Sequence, residues 1–246
     1  MARTRWHPTI IKLHSVSSTQ RWARDWAQMG ARDGLIIIAR EQTAGRGRME
    51  RVWESRPGGL YLSLLLRPAI PVARANQLTM LVSLAAIDAC QQVAGVQAAP
   101  KWPNDLLLAD KKLAGVLTEL ESSDGCLRFA VIGLGLNVNN AFDSSPLADI
   151  ATSLRMATGR SYDVDAVAAA FIEALAERYE AFRAGVSPHR AWAAHLQPLG
   201  RRVRVHSPPQ APLCGLAEDV SPEGALLVRD DAGALHTVWA GDVVIE

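Results

Sequence analysis

At 246 residues, 49% of them apolar and 21% charged, the chain can form one large domain, or one domain with a small appendage, around an ordinary globular core. Lys and Arg number 26 against 25 Asp and Glu, so a net charge of +1 excludes a global basic field for nucleic acid and leaves any cationic function local. No apolar run approaches the roughly 20 residues of a membrane span and the N-terminus lacks a signal-peptide core, so the expected location is the cytoplasm.

Ile10, Ile11, Leu13 and Val16 alternate loosely, which predicts a first strand and loop over residues 1–16. Ser17-Ser18-Thr19 then precedes a helical pattern through Trp22, Ala23, Trp26, Ala27 and Met29, ending near Gly30 or Gly34. Ser18 is the expected N-cap, and hydroxyls with free N–H groups at a helix start also suit a polar ligand. Leu35–Ala39 reads as a buried strand. It runs into Glu41–Trp53, where Gly45 and Gly47 permit backbone angles that side chains forbid and leave N–H groups able to line a concave surface, among Arg46, Arg48 and Arg51. A cationic, glycine-spaced loop leaving a strand end reads as a lid over an anion, mobile until that anion arrives. An RNA-binding Gly-Arg tract or a plain solvated loop stays open at this point.

Pro57-Gly58-Gly59 turns into a second buried strand, Leu60–Leu66, and Asn76 is the expected cap of a helix with one apolar face over Leu78, Leu81, Val82, Ala85, Ala86 and Ala89. Lys101–Leu108, the polar turn 109–112 and Leu113–Glu119 read as strand, turn, strand, and Ser122–Gly125 as a hairpin turn. The returning strand, Leu127–Val138, carries Gly133 and Gly135, which suggests close approach by a ligand or another backbone. Residues 140–150 have loop composition. Asp163 caps a long helix through Val167, Phe171, Leu175, Tyr179 and Phe182, closed by Gly185, and a shorter helix follows Ser187-Pro188. From Leu199 the chain changes to short strands between Pro- and Gly-bearing turns, which predicts a small β-barrel. Hairpins with helices set between strands favour a mixed, largely antiparallel sheet. Cys90, Cys126 and Cys214 are odd in number, far apart and without metal-ligand spacing; each stands in an apolar segment and is expected to be a reduced core thiol.

Lys101-Trp102-Pro103-Asn104-Asp105 sets a cation, an amide and a carboxylate within five residues, although Pro-Asn-Asp is also plain turn chemistry. Read together, Gln42-x-x-Gly45-Arg46-Gly47-Arg48, this pentad, Lys112-Leu-Ala-Gly115 and Gly133-x-Gly135-x-Asn137 resemble biotin protein ligase in order and interval, with Ser18-Thr19 where that family has a ligand-binding Ser-Thr pair. The resemblance covers residues 10–246. It implies an α+β fold: a mixed, largely antiparallel sheet flanked by helices, of the class II synthetase type, over residues 1–198, and an SH3-like β-barrel over 199–246.

It further implies that biotin carboxylate attacks the α-phosphate of ATP, and that a lysine of a biotin carboxyl carrier domain then takes the biotinyl group. The residues carried over are Lys112, Arg48 and Asp105 for catalysis. Ser18, Thr19, Gln20, Gln42, Gly45, Arg46, Gly47, Arg48, Lys112 and Gly115 are carried over for biotin. Arg48, Arg51, Trp53, Lys101, Asn104 and Asn137 are carried over for ATP, and Asp105 for Mg²⁺ held through water. Gln20 stands where the family often has Asn, and Glu50 where many members have Gly. Some members carry an N-terminal DNA-binding domain; here the likeness begins near Ile10, which implies a form without one and no DNA or membrane partner, with homodimer pairing left open. A lipoate or octanoyl transferase of the same architecture and a non-catalytic biotin sensor are the alternatives.

Overall fold

The computed structural model describes residues 6–143, 145–207 and 209–246. Its main sheet has seven strands: β1 (Thr9–Val16), β2 (Leu35–Gln42), β3 (Leu60–Leu66), β4 (Ala99–Lys101), β5 (Asp105–Leu108), β6 (Lys111–Ser123) and β7 (Cys126–Leu136). Their order is β1-β2-β3-β7-β6-β5-β4, with only β1 and β2 parallel. Asp124 and Gly125 turn β6 into β7 with positive φ, as the Asp-Gly pair predicts. The single strand expected over 101–108 divides: residues 102–104 form a turn between β4 and β5.

Every residue of β3 is buried, because the sheet is covered on both faces there. Strand alternation sorts the side chains: Ile36, Ile38, Leu62 and Leu64 enter the larger core, against α2 (Asn76–Ala94) and α4 (Val164–Arg183). Leu35, Ile37, Leu65 and Val131 point the other way, against Ala23 and Ala27 of α1 (Thr19–Gln28). Alanines there let the helix lie close to the sheet.

α2 departs from expectation twice. Its N-cap is Ala75, so Asn76 is the first helical residue and caps nothing. Its residues 77–86 are all buried rather than forming one apolar face, because the helix lies between two cores: Met80 and Leu84 belong to the second. α4 follows the sequence reading, with Asp163 accepting from the Asp165 N–H and the whole predicted stripe buried. A short α3 (Leu154–Thr158), capped by Ser153 and not anticipated, and α5 (His189–Ala193) complete the helices. No helix among the described residues is long and apolar enough to cross a membrane.

The C-terminal part is an antiparallel sheet of β8 (Arg202–His206), β9 (Leu213–Val220), β10 (Leu226–Arg229), β11 (Leu235–Val238) and β12 (Asp242–Ile245), ordered β11-β10-β9-β8-β12. Its core of Val203, Val205, Ala217, Val220, Leu226, Val228 and Val243 is continuous with Met80, Leu84, Trp102, Trp192 and Leu196. Trp102 Nε1 donates to the Gly224 carbonyl at 3.0 Å and Gln77 Nε2 to that of Pro222 at 2.9 Å, fixing this small β domain on the main one. Of the cysteines only Cys90 is a core thiol: Cys126 stands exposed beside the hairpin turn, and Cys214 is half-buried on β9.

Candidate active site

The α1 face of the sheet is where site chemistry collects. Register puts Ser63 of β3, Gly133 and Gly135 of β7, and Gly115 and Leu117 of β6 side by side on this face, just beyond the N-terminus of α1. Glycine and serine there leave a cavity of about 310 Å³, which Ser18, Thr19 and Gln20 close at one end.

That end is a chain of polar contacts. The Thr19 N–H donates to Gln42 Oε1 at 2.8 Å, the Thr19 and Ser63 hydroxyls meet at 2.8 Å, and Ser63 donates to Gln20 Oε1 at 3.1 Å. Gln42 Nε2 donates to Ser55 at 2.8 Å and Gln20 Nε2 to the Val131 carbonyl at 2.9 Å. Gln20 therefore spends its amide on the protein itself. Ser18 holds the N-cap position, but its hydroxyl caps nothing; it is buried, lines the cavity and has no hydrogen-bond partner. A buried orphan hydroxyl in a cavity wall marks where a ligand's polar atom belongs.

Gly133 and Gly135 serve neighbours other than those anticipated. A Cβ on Gly133 would run into Gln20 Oε1, and one on Gly135 into the Trp53 indole. Trp53 thus packs against Gly115 and Gly135, with the Lys112 ammonium 5.2 Å from its ring centroid. Its own Nε1 is buried without a partner. Lys112 Nζ stands 2.8 Å from Asp105 Oδ1, both half-exposed, while Lys111 turns away to the Ala148 carbonyl.

The loop over the cavity also differs from expectation. Neither Gly45 nor Gly47 has positive φ; the left-handed positions are Met49 at 53° and Glu50 at 60°. Gly45 is needed for space instead, since a Cβ there would strike the Trp53 carbonyl and the Ser55 hydroxyl. Each loop arginine has a partner within the chain: Arg46 has Glu119 at 3.1 Å, Arg48 the Asn104 side-chain oxygen at 2.9 Å, and Arg51 Asp242 at 2.6 Å. Two of the three positive charges on this loop are thereby met by carboxylates inside the protein, and the third by a neutral amide.

Among the sequence candidates, Lys101 and Gly45 do not line the cavity, and Asn137, which does, gives its amide to the Thr152 carbonyl at 2.9 Å. Asn104 faces it too, held by donation to the Val116 carbonyl at 2.7 Å. The apolar wall of Phe142, Leu147, Ile150 and Ala151, and the polar residues Ser63 and Asp242, were not anticipated. Ser63 carried a signal, the one polar residue in an otherwise apolar run; Asp242 carried none, because only docking of the β domain brings it here.

A polar pocket at a helix start, a cationic loop and a Lys–Asp pair thus share one cavity on a mixed sheet. Residues 13–137 match the biotin/lipoate A/B protein ligase family and residues 199–245 the biotin protein ligase C-terminal domain. The chain belongs to this family, in its biotin protein ligase branch. It is 36% identical over 239 residues to the bifunctional ligase/repressor BirA of Bacillus subtilis, spanning 95% of this chain and 73% of that protein. It is 34% identical over 219 residues to the biotin–[acetyl-CoA-carboxylase] ligase of Mycobacterium tuberculosis, spanning 86% and 79% respectively. The structure of biotin protein ligase from Aquifex aeolicus in complex with biotin and ATP superposes with a TM-score of 0.80 at 28% identity, over 96% of this chain and 98% of that one.

Proposed function

We propose that this protein condenses biotin with ATP to biotinyl-5′-adenylate and then transfers the biotinyl group to a lysine of a biotin carboxyl carrier domain. The observation that carries the reading is the single cavity joining a polar pocket at the start of α1 to Lys112 and the loop arginines. In the first step a biotin carboxylate oxygen bonds to the α-phosphorus, the bond from that phosphorus to the bridging oxygen breaks, and pyrophosphate leaves. In the second, the acceptor amine in its neutral form attacks the acyl carbon; the acyl C–O bond breaks, AMP leaves, and the nitrogen gives up one N–H proton to solvent as the amide forms.

Both partners of the first step are anions, so cations fixed where charge develops lower the barrier without reorganising. Lys112, held between Asp105 and the Trp53 face, would bridge carboxylate and α-phosphate. Arg48 and Arg51 would take phosphate oxygens in place of Asn104 and Asp242. Ser18, Thr19 and Gln42 would hydrogen-bond the ureido ring, with Gln20 keeping Ser63 oriented. Asp105 brings one carboxylate to the cavity wall, which suits Mg²⁺ taken mainly by phosphates and water. That ion would neutralise phosphate charge. We assign residues 1–198 to catalysis and 199–246 to a docked barrel; the apolar cluster shared by the two supports a fixed rather than swinging barrel.

The test is incubation with biotin, Mg-ATP and a carrier domain, with lipoate and octanoate in parallel arms. The expected result is a biotinylated lysine by mass and no lipoyl or octanoyl product; lipoylation in place of biotinylation would overturn the reading.

A further inference from the structure

Glu119 has no part in the roles above. It lies on the cavity face of β6, four residues beyond Gly115, with its side chain only 18% exposed. Oε1 is 3.1 Å from Arg46 of the loop, and Oε2 is 3.6 Å from Arg24 Nη1, on the helix whose first turn lines the cavity. Oε2 is buried and accepts no hydrogen bond. One carboxylate thus stands between the loop, α1 and the strand that carries Lys112.

The other two loop arginines are held differently. Arg48 rests on a neutral amide, and Arg51 on a carboxylate 46% exposed at the edge of the C-terminal sheet. Phosphate oxygens can replace either partner without stranding a buried charge. Breaking the Arg46 contact would take the nearer cation from a carboxylate that is only 18% exposed and leave it Arg24 at 3.6 Å, which is costly. The loop therefore has one arm suited to stay and another suited to exchange partners.

We propose that Glu119 is a positioning residue: it pins Arg46 and the first arm of the loop, residues 44–47, across the end of the cavity formed by Ser18, Thr19 and Gln20, so that the activated acyl group stays enclosed while Arg48 and Arg51 engage phosphate. The inference rests on the ligase reading of the site. It concerns retention of the intermediate more than its formation, since Glu119 touches neither Lys112 nor Asp105.

The experiment compares wild type with Glu119→Gln, Arg46→Gln and the double variant. Each is loaded with biotin and Mg-ATP, passed rapidly through a sizing column and followed for adenylate still bound. Glu119→Gln should form adenylate within about threefold of wild type but release it about tenfold faster, and the double variant should release it no faster than the singles, because one contact has been cut from both sides. Glu119→Asp, which keeps the charge but is one methylene too short to reach Arg46, keeps the test decisive if Glu119→Gln fails to fold. Wild-type retention by a folded single variant, or a double variant whose release is accelerated by the product of the two single effects, would overturn the proposal. Failure of wild type to form any adenylate would overturn the ligase reading instead. Biotin dissociation without ATP would then judge Glu119 alone: faster release from the variants supports the pin, and equal release refutes it.

Discussion

Arg51 Nη2 stands 2.6 Å from Asp242 Oδ2, which ties the cavity loop to the C-terminal sheet. The contact is largely solvated, with side chains 64% and 46% exposed, so it contributes on the order of 0–1 kcal/mol and does not hold the β domain in place. The shared cluster of Met80, Leu84, Trp102 and Trp192 does that. Asp242 instead places a negative charge in the wall of a cavity proposed to take a triphosphate. Asp242→Asn should lower the KM for ATP about two- to fivefold at low salt, with the gain shrinking as salt rises. A KM that increases would mean that Asp242 orients Arg51 rather than competing for it.

Lys112 and Lys111 are adjacent residues that part company in space. Lys112 lies between Asp105 and the Trp53 ring, and Lys111 donates to the Ala148 carbonyl at 2.8 Å. Lys112→Ala should reduce adenylate formation by about a hundredfold or more, roughly 3 kcal/mol of transition-state stabilisation, and Lys111→Ala by less than about threefold. Pyrophosphate release with each variant measures this, and equal losses from the two substitutions would reject the assignment.

This pair also shows how far the sequence could be read. Apolar runs mark β2 and β3 because burial on both faces leaves no room for polar residues, and Asp-Gly marks the β6–β7 turn. Motif order placed Lys112, Asp105 and Arg48 about one site. What could not be read depends on register and docking. Glu119 is linked to Arg46 only once the fold brings the loop after β2 to β6, and Asp242 arrives through the C-terminal sheet. The burial of α2 all round requires two cores, which one helical period cannot announce. Gly45 was rightly singled out but for the wrong cause: it gives space to Trp53 and Ser55, while the left-handed angles fall on Met49 and Glu50.

That displacement has its own consequence. Glu50, at φ 60°, holds a conformation that favours glycine, at the position where the resembling family often has Gly. Left-handed strain of about 1–2 kcal/mol, less the ~0.5–1 kcal/mol that glycine's greater unfolded-state freedom costs, leaves a net gain of about 0–1.5 kcal/mol, centred on ~0.75, for Glu50→Gly. For a chain of this size the Tm should rise by about 1–4 °C, measurable by calorimetry. An unchanged or lower Tm would show that the Glu50 side chain makes up for its backbone strain.

The cysteines separate by environment. Burial pushes the Cys90 thiol up to about 12, whereas Cys126 is exposed. A thiol reagent at pH 8 should modify Cys126 rapidly in the native protein and reach Cys90 only on unfolding. The unfolded thiol releases its proton near 9 and the folded one near 12, so between them the unfolded state binds fewer protons and stability falls as pH rises. Cys90→Ala should flatten that alkaline loss in denaturant titrations. Rapid native labelling of Cys90 would contradict its burial.

Arg48 differs from the other loop arginines in resting on an uncharged partner, Asn104 Oδ1 at 2.9 Å. The amide orients the guanidinium without neutralising it, because its Nδ2 is fixed on the Val116 carbonyl at 2.7 Å. A charge aimed but not satisfied by an opposite charge is well suited to take an incoming phosphate. Asn104→Ala should therefore cost orientation alone, about tenfold in adenylate formation, while Asn104→Asp, nearly the same shape, should cost more. The new carboxylate would pair with Arg48 and stand next to Asp105, adding negative charge where the triphosphate must sit. Arg48→Gly removes the contact from the other side and should let activated biotin escape to label bystander lysines. Adenylate formation and stray labelling, scored on all three variants, decide the point: an Asn104→Asp enzyme faster than Asn104→Ala would show that Arg48 works as one half of an ion pair rather than as a free cation.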